Sequence, residues 1–159
     1  MDAIGPCHFV IFGATGNLAS RKLLPALYEL EVARRLHADL RFIAFARRAW
    51  QNAEWTAHLN TSLDEQLGRK CEPAVFARFA ARLSYVSGNF DDDATYERVA
   101  DALGDAKLPV FYLEIPPFLF GTVIKGLHDA GLTDAARVVV EKPFGHDRES
   151  AIALAEEIH

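Results

Sequence analysis

Cysteine is nearly missing from this 159-residue chain: only Cys7 and Cys71 occur, far apart and outside any Cys-x-x-Cys or Cys/His ligand spacing. That excludes a disulfide framework and a zinc site, and a reducing, cytoplasmic setting is the expectation. Long apolar runs are lacking as well, since none approaches the roughly 18–20 residues of a membrane span. The opening Met-Asp-Ala-Ile-Gly-Pro has no basic region and no apolar stretch of a leader peptide. Positive charge is in deficit, with 17 Lys and Arg against 22 Asp and Glu and a formal net charge of −5. Nucleic-acid binding through phosphate contacts is therefore not expected, although a local basic cluster can still grip a small anion. The six histidines form no Ser/His/Asp or metal-ligand pattern, and none is assigned a catalytic role. No internal repeat, linker or low-complexity segment is present.

What is there is the composition of one soluble globular domain, half apolar and a quarter charged. A chain of this length buries roughly 68–70% of its unfolded surface, enough for a core without staples. Strand signals, short apolar runs rich in aromatic and β-branched residues, fall at 8–12, 41–46, 83–87, 109–115 and 137–140. Between them, helical patterns are predicted at 18–36, 50–67, 73–82, 94–103 and 118–130, with a last helix starting near Asp147. Pro25 interrupts the first and predicts a kink or a short separate turn. Asp91, Asp92 and Asp93 offer N-cap oxygens, and Gly131 is a C-cap candidate. His8 is placed within or beside the first strand, and the other histidines on helix surfaces or ends.

Five alternations of strand and helix favour a parallel sheet with right-handed crossovers, that is, an α/β, Rossmann-like, doubly wound sheet with helices on both faces. In such sheets ligands bind beyond the carboxyl ends of the strands, so the residues just after each strand are the ones to inspect. After the first comes Gly13-Ala14-Thr15-Gly16-Asn17-Leu18-Ala19-Ser20, a Gly-x-x-Gly-x-x-Ala turn. Its small residues let backbone approach a pyrophosphate, and the helix start offers N–H donors to it. After the second, the acid that usually selects NAD is missing and Ala46-Arg47-Arg48 stands in its place. A guanidinium suits a ribose 2′-phosphate, so NADP is favoured, with NAD as the alternative carrier. After the fifth comes Glu141-Lys142-Pro143, where Lys142 faces the cleft and Pro143 is a candidate cis residue. Lys22, one helix turn past the glycine turn, is a further candidate. For each of these a plain surface or turn role stays open on spacing alone.

Together, Gly13–Tyr28, Ala46-Arg47-Arg48, Ser87-Gly88-Asn89-Phe90-Asp91-Asp92, Tyr112-Leu113-Glu114-Ile115-Pro116-Pro117 and Val140–Asp147 resemble the glucose-6-phosphate dehydrogenase family over nearly the whole chain. That resemblance implies oxidation of glucose 6-phosphate to 6-phosphogluconolactone, in the pentose phosphate pathway, with NADP as hydride acceptor. It also implies phosphate binding by residues 13–20, the 2′-phosphate on Arg47, and Phe90 near the cofactor. Pro117 would shape the nicotinamide pocket, Lys142 would contact both substrate and cofactor, and Lys22 would lie near the reaction centre. Asn17 and Ser20 depart from the family's commoner acidic and basic residues, which alters local charge but keeps the N–H cradle.

The family's Arg-Ile-Asp-His-Tyr-Leu-Gly-Lys segment, with its catalytic histidine, does not occur in the 159 residues, and neither does its second domain, which carries most sugar contacts and the oligomer interface. The expectation is one coenzyme-binding domain over 1–159, a fragment that binds NADP weakly and does not turn over. A Tyr-x-x-x-Lys pair, which a short-chain reductase or epimerase would need, is not present either. A non-enzymatic nucleotide-binding interaction module is the alternative.

Overall fold

The computed structural model describes residues 8–104, 109–133 and 137–140. The expected last helix, Lys142 and the candidate cis residue Pro143 lie outside them. The strands are β1 (His8–Phe12), β2 (Arg41–Ala46), β3 (Leu83–Ser87), β4 (Val110–Leu113) and β5 (Arg137–Val140), and the α-helices are α1 (Leu24–Val32), α2 (Asn52–Leu67), α3 (Pro73–Ala81), α4 (Asp93–Leu103) and α5 (Phe120–Asp129). All neighbouring strands pair parallel in the order β3-β2-β1-β4-β5. The chain winds outward from β1 through β2 to β3, then crosses back to β4. The switch point therefore lies between β1 and β4, where Phe9 to Phe12 pair with Val110 to Leu113.

Alternation within the strands sorts the core into two layers. Val10, Phe12, Ile43, Phe45, Phe111 and Leu113 point to the face covered by α4 and α5. Ile11, Phe42 and Ala44 point to the opposite face, where Tyr28, Trp55, Leu59, Leu63 and Phe79 of α1, α2 and α3 cover them. Burial on both faces is why these strands read as continuous apolar runs. The Phe12 ring sits at the centre of the first layer, with Phe45 at 5.1 Å, Phe111 at 6.1 Å and Tyr96 at 6.4 Å between centroids.

Pro25 acts as predicted, by separating a turn from the main helix. It has no N–H for the Arg21 carbonyl and its ring crowds that group, and the chain widens into a π-helical turn at Ala19–Leu23 before α1 begins. Leu24 N–H closes that turn on the Ala19 carbonyl.

The end of α1 differs from the predicted Leu36: the helix stops at Val32, because Arg34 adopts φ +54° and Arg35 N–H reaches back to the Leu30 carbonyl at 2.9 Å. The next loop is held by Arg82, whose guanidinium donates to the His37 and Leu40 carbonyls and to Glu31 Oε1 at 2.6 Å. Helix α2 starts at Asn52 because Gln51 and Glu54 form a capping box. Asp92 is the one of the three aspartates whose carboxylate accepts the Ala94 N–H. Strand β4 is shorter than predicted, and a 3-10 turn at Pro117–Leu119 precedes α5. Gly131 takes the expected left-handed conformation at φ +74°, while Leu132 N–H bonds to the Leu127 carbonyl.

Candidate functional site

The turn after β1 is pressed into the switch point. Gly13 has φ +88°, and a Cβ there would overlap the Glu114 carbonyl oxygen and lie 2.8 Å from Ile115 Cγ2. Gly13 and Ala14 N–H both donate to the Phe45 carbonyl, at 2.9 and 3.0 Å, and Gly16 N–H donates to Gly13 O at 2.9 Å. Ala14 and Ala19 are fully buried and seat the turn on the sheet, whereas Gly16 and Asn17 are exposed. Backbone therefore forms the outer surface where Asn17 and Leu18 enter the helix. First-turn N–H groups there have no carbonyl one turn earlier to bond with, so they are free donors for an anion. These two observations, a position only glycine tolerates and an uncovered helix start, fit a dinucleotide pyrophosphate.

Arg47 follows β2 directly. It is exposed and makes no ion pair or hydrogen bond among the described residues. Arg48 is committed elsewhere: its guanidinium lies over the Trp50 ring at 5.2 Å, and its carbonyl accepts the Tyr85 hydroxyl at 2.6 Å. The structure thus separates two arginines that the sequence left equivalent. Arg47 lines a cleft of about 270 Å³ with Asn89, Phe90, Asp91, Leu119 and Thr122, residues that follow β2, β3 and β4.

The other predicted positions are distributed unevenly. Phe90 lies just past β3, but its ring is only 8% exposed and packs on Phe45 and Phe12 at 5.4 and 6.5 Å. It forms a wall of the cleft by staying in the core. Pro117 is exposed at the start of the 3-10 turn, next to Phe118, which is 80% exposed. Thr15, Leu18 and Ser20 are half-buried. Lys22 is exposed in the π turn and forms no ion pair or hydrogen bond among the described residues.

Asn89, Asp91, Thr122 and Glu114 were not named as site residues from sequence, although Asn89, Asp91 and Glu114 fall in the motifs that carry the resemblance. Glu114 carried the one usable signal, a charged residue ending an apolar strand. It is 3% exposed, and its N–H bonds to the Phe12 carbonyl at 2.9 Å. Among the described residues no cluster of His, Cys, Asp and Glu could hold a metal ion, and no helix is long and apolar enough to cross a membrane.

A parallel, doubly wound sheet with a glycine turn at its first crossover, pressed against the switch point, defines the class of Rossmann-like dinucleotide-binding domains. Residues 10–159 match the family model described as glucose-6-phosphate dehydrogenase, NAD binding domain. The chain belongs to that family, and its cofactor is a nucleotide.

It is 40% identical over 148 residues to glucose-6-phosphate 1-dehydrogenase 1 of Mycobacterium tuberculosis, covering 91% of this chain and 30% of that protein. With glucose-6-phosphate 1-dehydrogenase of Dickeya dadantii it shares 34% identity over 154 residues, covering 96% of this chain and 31% of the relative. Among solved structures, glucose-6-phosphate 1-dehydrogenase from Mycobacterium avium superposes with a TM-score of 0.83 at 38% identity, covering 96% of this chain and 33% of that one. A glucose-6-phosphate dehydrogenase in complex with glucose 6-phosphate superposes with a TM-score of 0.74 at 30% identity, covering 96% and 34%. The chain thus spans about a third of the length of these relatives.

Proposed function

We propose that this chain is the coenzyme-binding part of an enzyme that oxidises glucose 6-phosphate to 6-phosphogluconolactone with NADP. The observation that supports this best is a pairing: a glycine turn built for backbone approach at the end of β1, and an unpaired arginine, Arg47, at the end of the adjacent β2. In this reading the turn of Gly13, Ala14, Thr15, Gly16, Asn17, Leu18, Ala19 and Ser20 cradles the pyrophosphate, with the N–H groups of Asn17, Leu18 and Ala19 as donors, while those of Gly13, Ala14, Gly16 and Ser20 hold the turn itself together. Arg47 holds the 2′-phosphate by charge-assisted hydrogen bonds. Phe90 and Pro117 shape the cleft, and Lys22 and Lys142 serve the sugar phosphate.

When bound, NADP accepts the hydride that leaves the sugar C1. The C1 hydroxyl proton must go to a positioned base, and no residue here is assigned that role. Most sugar contacts, proton abstraction and self-association are assigned to the part of the relatives that this chain does not span. The scarcity of cysteine supports a cytoplasmic setting.

Calorimetric titration tests the reading. NADP is expected to bind more tightly than NAD, and no steady-state NADPH should form with glucose 6-phosphate. Equal affinities, or turnover at the rate of a complete enzyme, would overturn it.

A further inference from the structure

We infer that Arg98, on α4, is a second guanidinium for the nucleotide 2′-phosphate and sets the preference for NADP together with Arg47. This rests on the reading that the cleft beside Arg47 receives that phosphate. The strand register places the relevant backbone side by side. Ala46 pairs with Ser87, and Gly88 N–H continues the ladder by bonding to the Ala46 carbonyl at 3.1 Å. Arg47 and Gly88 therefore leave adjacent strands together, about 5 Å apart.

Arg98 sits on Gly88. Its Nε donates to the Ser87 carbonyl at 3.1 Å and one Nη2 proton reaches Thr95 Oγ1 at 3.4 Å. The Thr95 hydroxyl in turn donates to the Asn89 carbonyl at 2.7 Å, and Asn89 lines the cleft with Arg47. Arg47 lines that cleft with Leu119 and Thr122, and α4 and α5 cover the same face of the sheet. Both guanidinium groups thus belong to one side of the strand ends.

The chemistry at Arg98 is that of a site and not of a surface ion pair. The guanidinium is tethered to one backbone carbonyl and one hydroxyl, it forms no salt bridge among the described residues, and the residue is exposed. A guanidinium carries five N–H donors in a fixed fork. Two are used here, which leaves both Nη1 protons and one on Nη2 for an acceptor from solvent. Asp91 is the carboxylate that lines the cleft, and it forms no ion pair with either arginine. Gly88 makes the arrangement sterically feasible, because a Cβ there would overlap Thr95 Oγ1 and lie 2.6 Å from Arg98 Nη2. The Thr95 overlap is the tighter of the two and Thr95 is fully buried, so a side chain at position 88 would displace the guanidinium and crowd the core beneath it as well.

The test compares NADP and NAD binding by calorimetry for the full chain and for Arg98→Ala, Arg98→Lys, Gly88→Ala and Arg47→Ala, with thermal unfolding as the control for folding. Arg98→Ala should weaken NADP binding about tenfold, as expected for losing a charge-assisted hydrogen bond, and leave NAD binding within about twofold. Arg98→Lys should restore part of the loss, and Gly88→Ala, which presses on both Arg98 and buried Thr95, should lose NADP affinity together with thermal stability. Equal losses for both nucleotides, or no loss for either, would overturn the role of Arg98. If the parent chain does not prefer NADP, or Arg47→Ala leaves its preference intact, the underlying reading fails. If Arg47→Ala removes the preference and Arg98→Ala does not, only the present inference falls.

Discussion

Gly13 and Glu114 meet across the seam between β1 and β4, where a Cβ on the glycine would overlap the glutamate carbonyl oxygen. The contact locks the glycine turn to the switch point. Backbone on both sides leaves no flexible group to give way.

Gly13→Ala should therefore be among the most damaging single changes. The positive φ of +88° and the overlap act together, and a cost of at least about 2 kcal/mol is expected. Urea denaturation measures it. A variant as stable as the parent would mean that the turn is not locked to β4.

Arg47→Ala should reduce NADP affinity by about tenfold or more while sparing NAD, because only the former carries the 2′-phosphate. Arg48→Ala should act differently. Its guanidinium lies over Trp50, so the expected effect is a small loss of stability, about 0.5–1 kcal/mol, with the NADP-to-NAD ratio unchanged. Titration of both nucleotides against both variants separates the two roles.

Glu31 is a buried carboxylate, with its side chain 4% exposed, held by Arg82 Nε at 2.6 Å and by Arg78 at 3.9 Å. Arg82→Met should cost about 3 kcal/mol, because it strands a charge inside the fold and releases the His37 and Leu40 carbonyls. Replacing Glu31 and Arg82 together with apolar residues should cost less than the sum of the single changes. Additive losses in a double-mutant cycle would contradict the pairing.

Stability should fall on both the acidic and the alkaline side. His8 and His58 are held below the ordinary imidazole value of 6.5. Burial is the larger cause for each, with Arg41 adding at His8 and Arg48 at His58, while Glu65 opposes at His58. A depressed value means that the unfolded chain binds more protons below about pH 6.5, so stability is full above that and declines as the pH falls below it. Burial pushes Tyr85 and Tyr96 up to about 12 from 10.0. The folded chain then keeps protons that the unfolded chain loses, and stability declines again above about pH 10. Denaturation across pH checks this, and His58→Gln should flatten the acidic side. An unchanged acidic slope in that variant would show that His58 does not contribute.

The sheet was legible because both of its faces are covered at its centre, so β1 and β2, like β5, each appear as an unbroken apolar run with ends marked by polar or glycine residues. The stop of α1 was not legible. Arg34 carries no glycine-like signal, and its positive φ is imposed by a loop that Arg82, far along the chain, holds in place. The start of α2 could have been read from Gln51 and Glu54, three residues apart, and the capping box confirms that spacing. At the site, position after a strand pointed to Gly13 and Arg47, and the family resemblance to Phe90. Which of the two arginines is free depends on Trp50, and the roles of Thr122 and Arg98 depend on tertiary packing that no local pattern carries.

Phe90 has a mechanical consequence. Because its ring is anchored among Phe12 and Phe45, the segment after β3 cannot swing toward an incoming nucleotide without pulling an aromatic group out of the interior. One bank of the groove is stationary, and any adjustment to a guest falls to the opposite bank, where Leu119 ends a single 3-10 turn and Thr122 opens onto solvent.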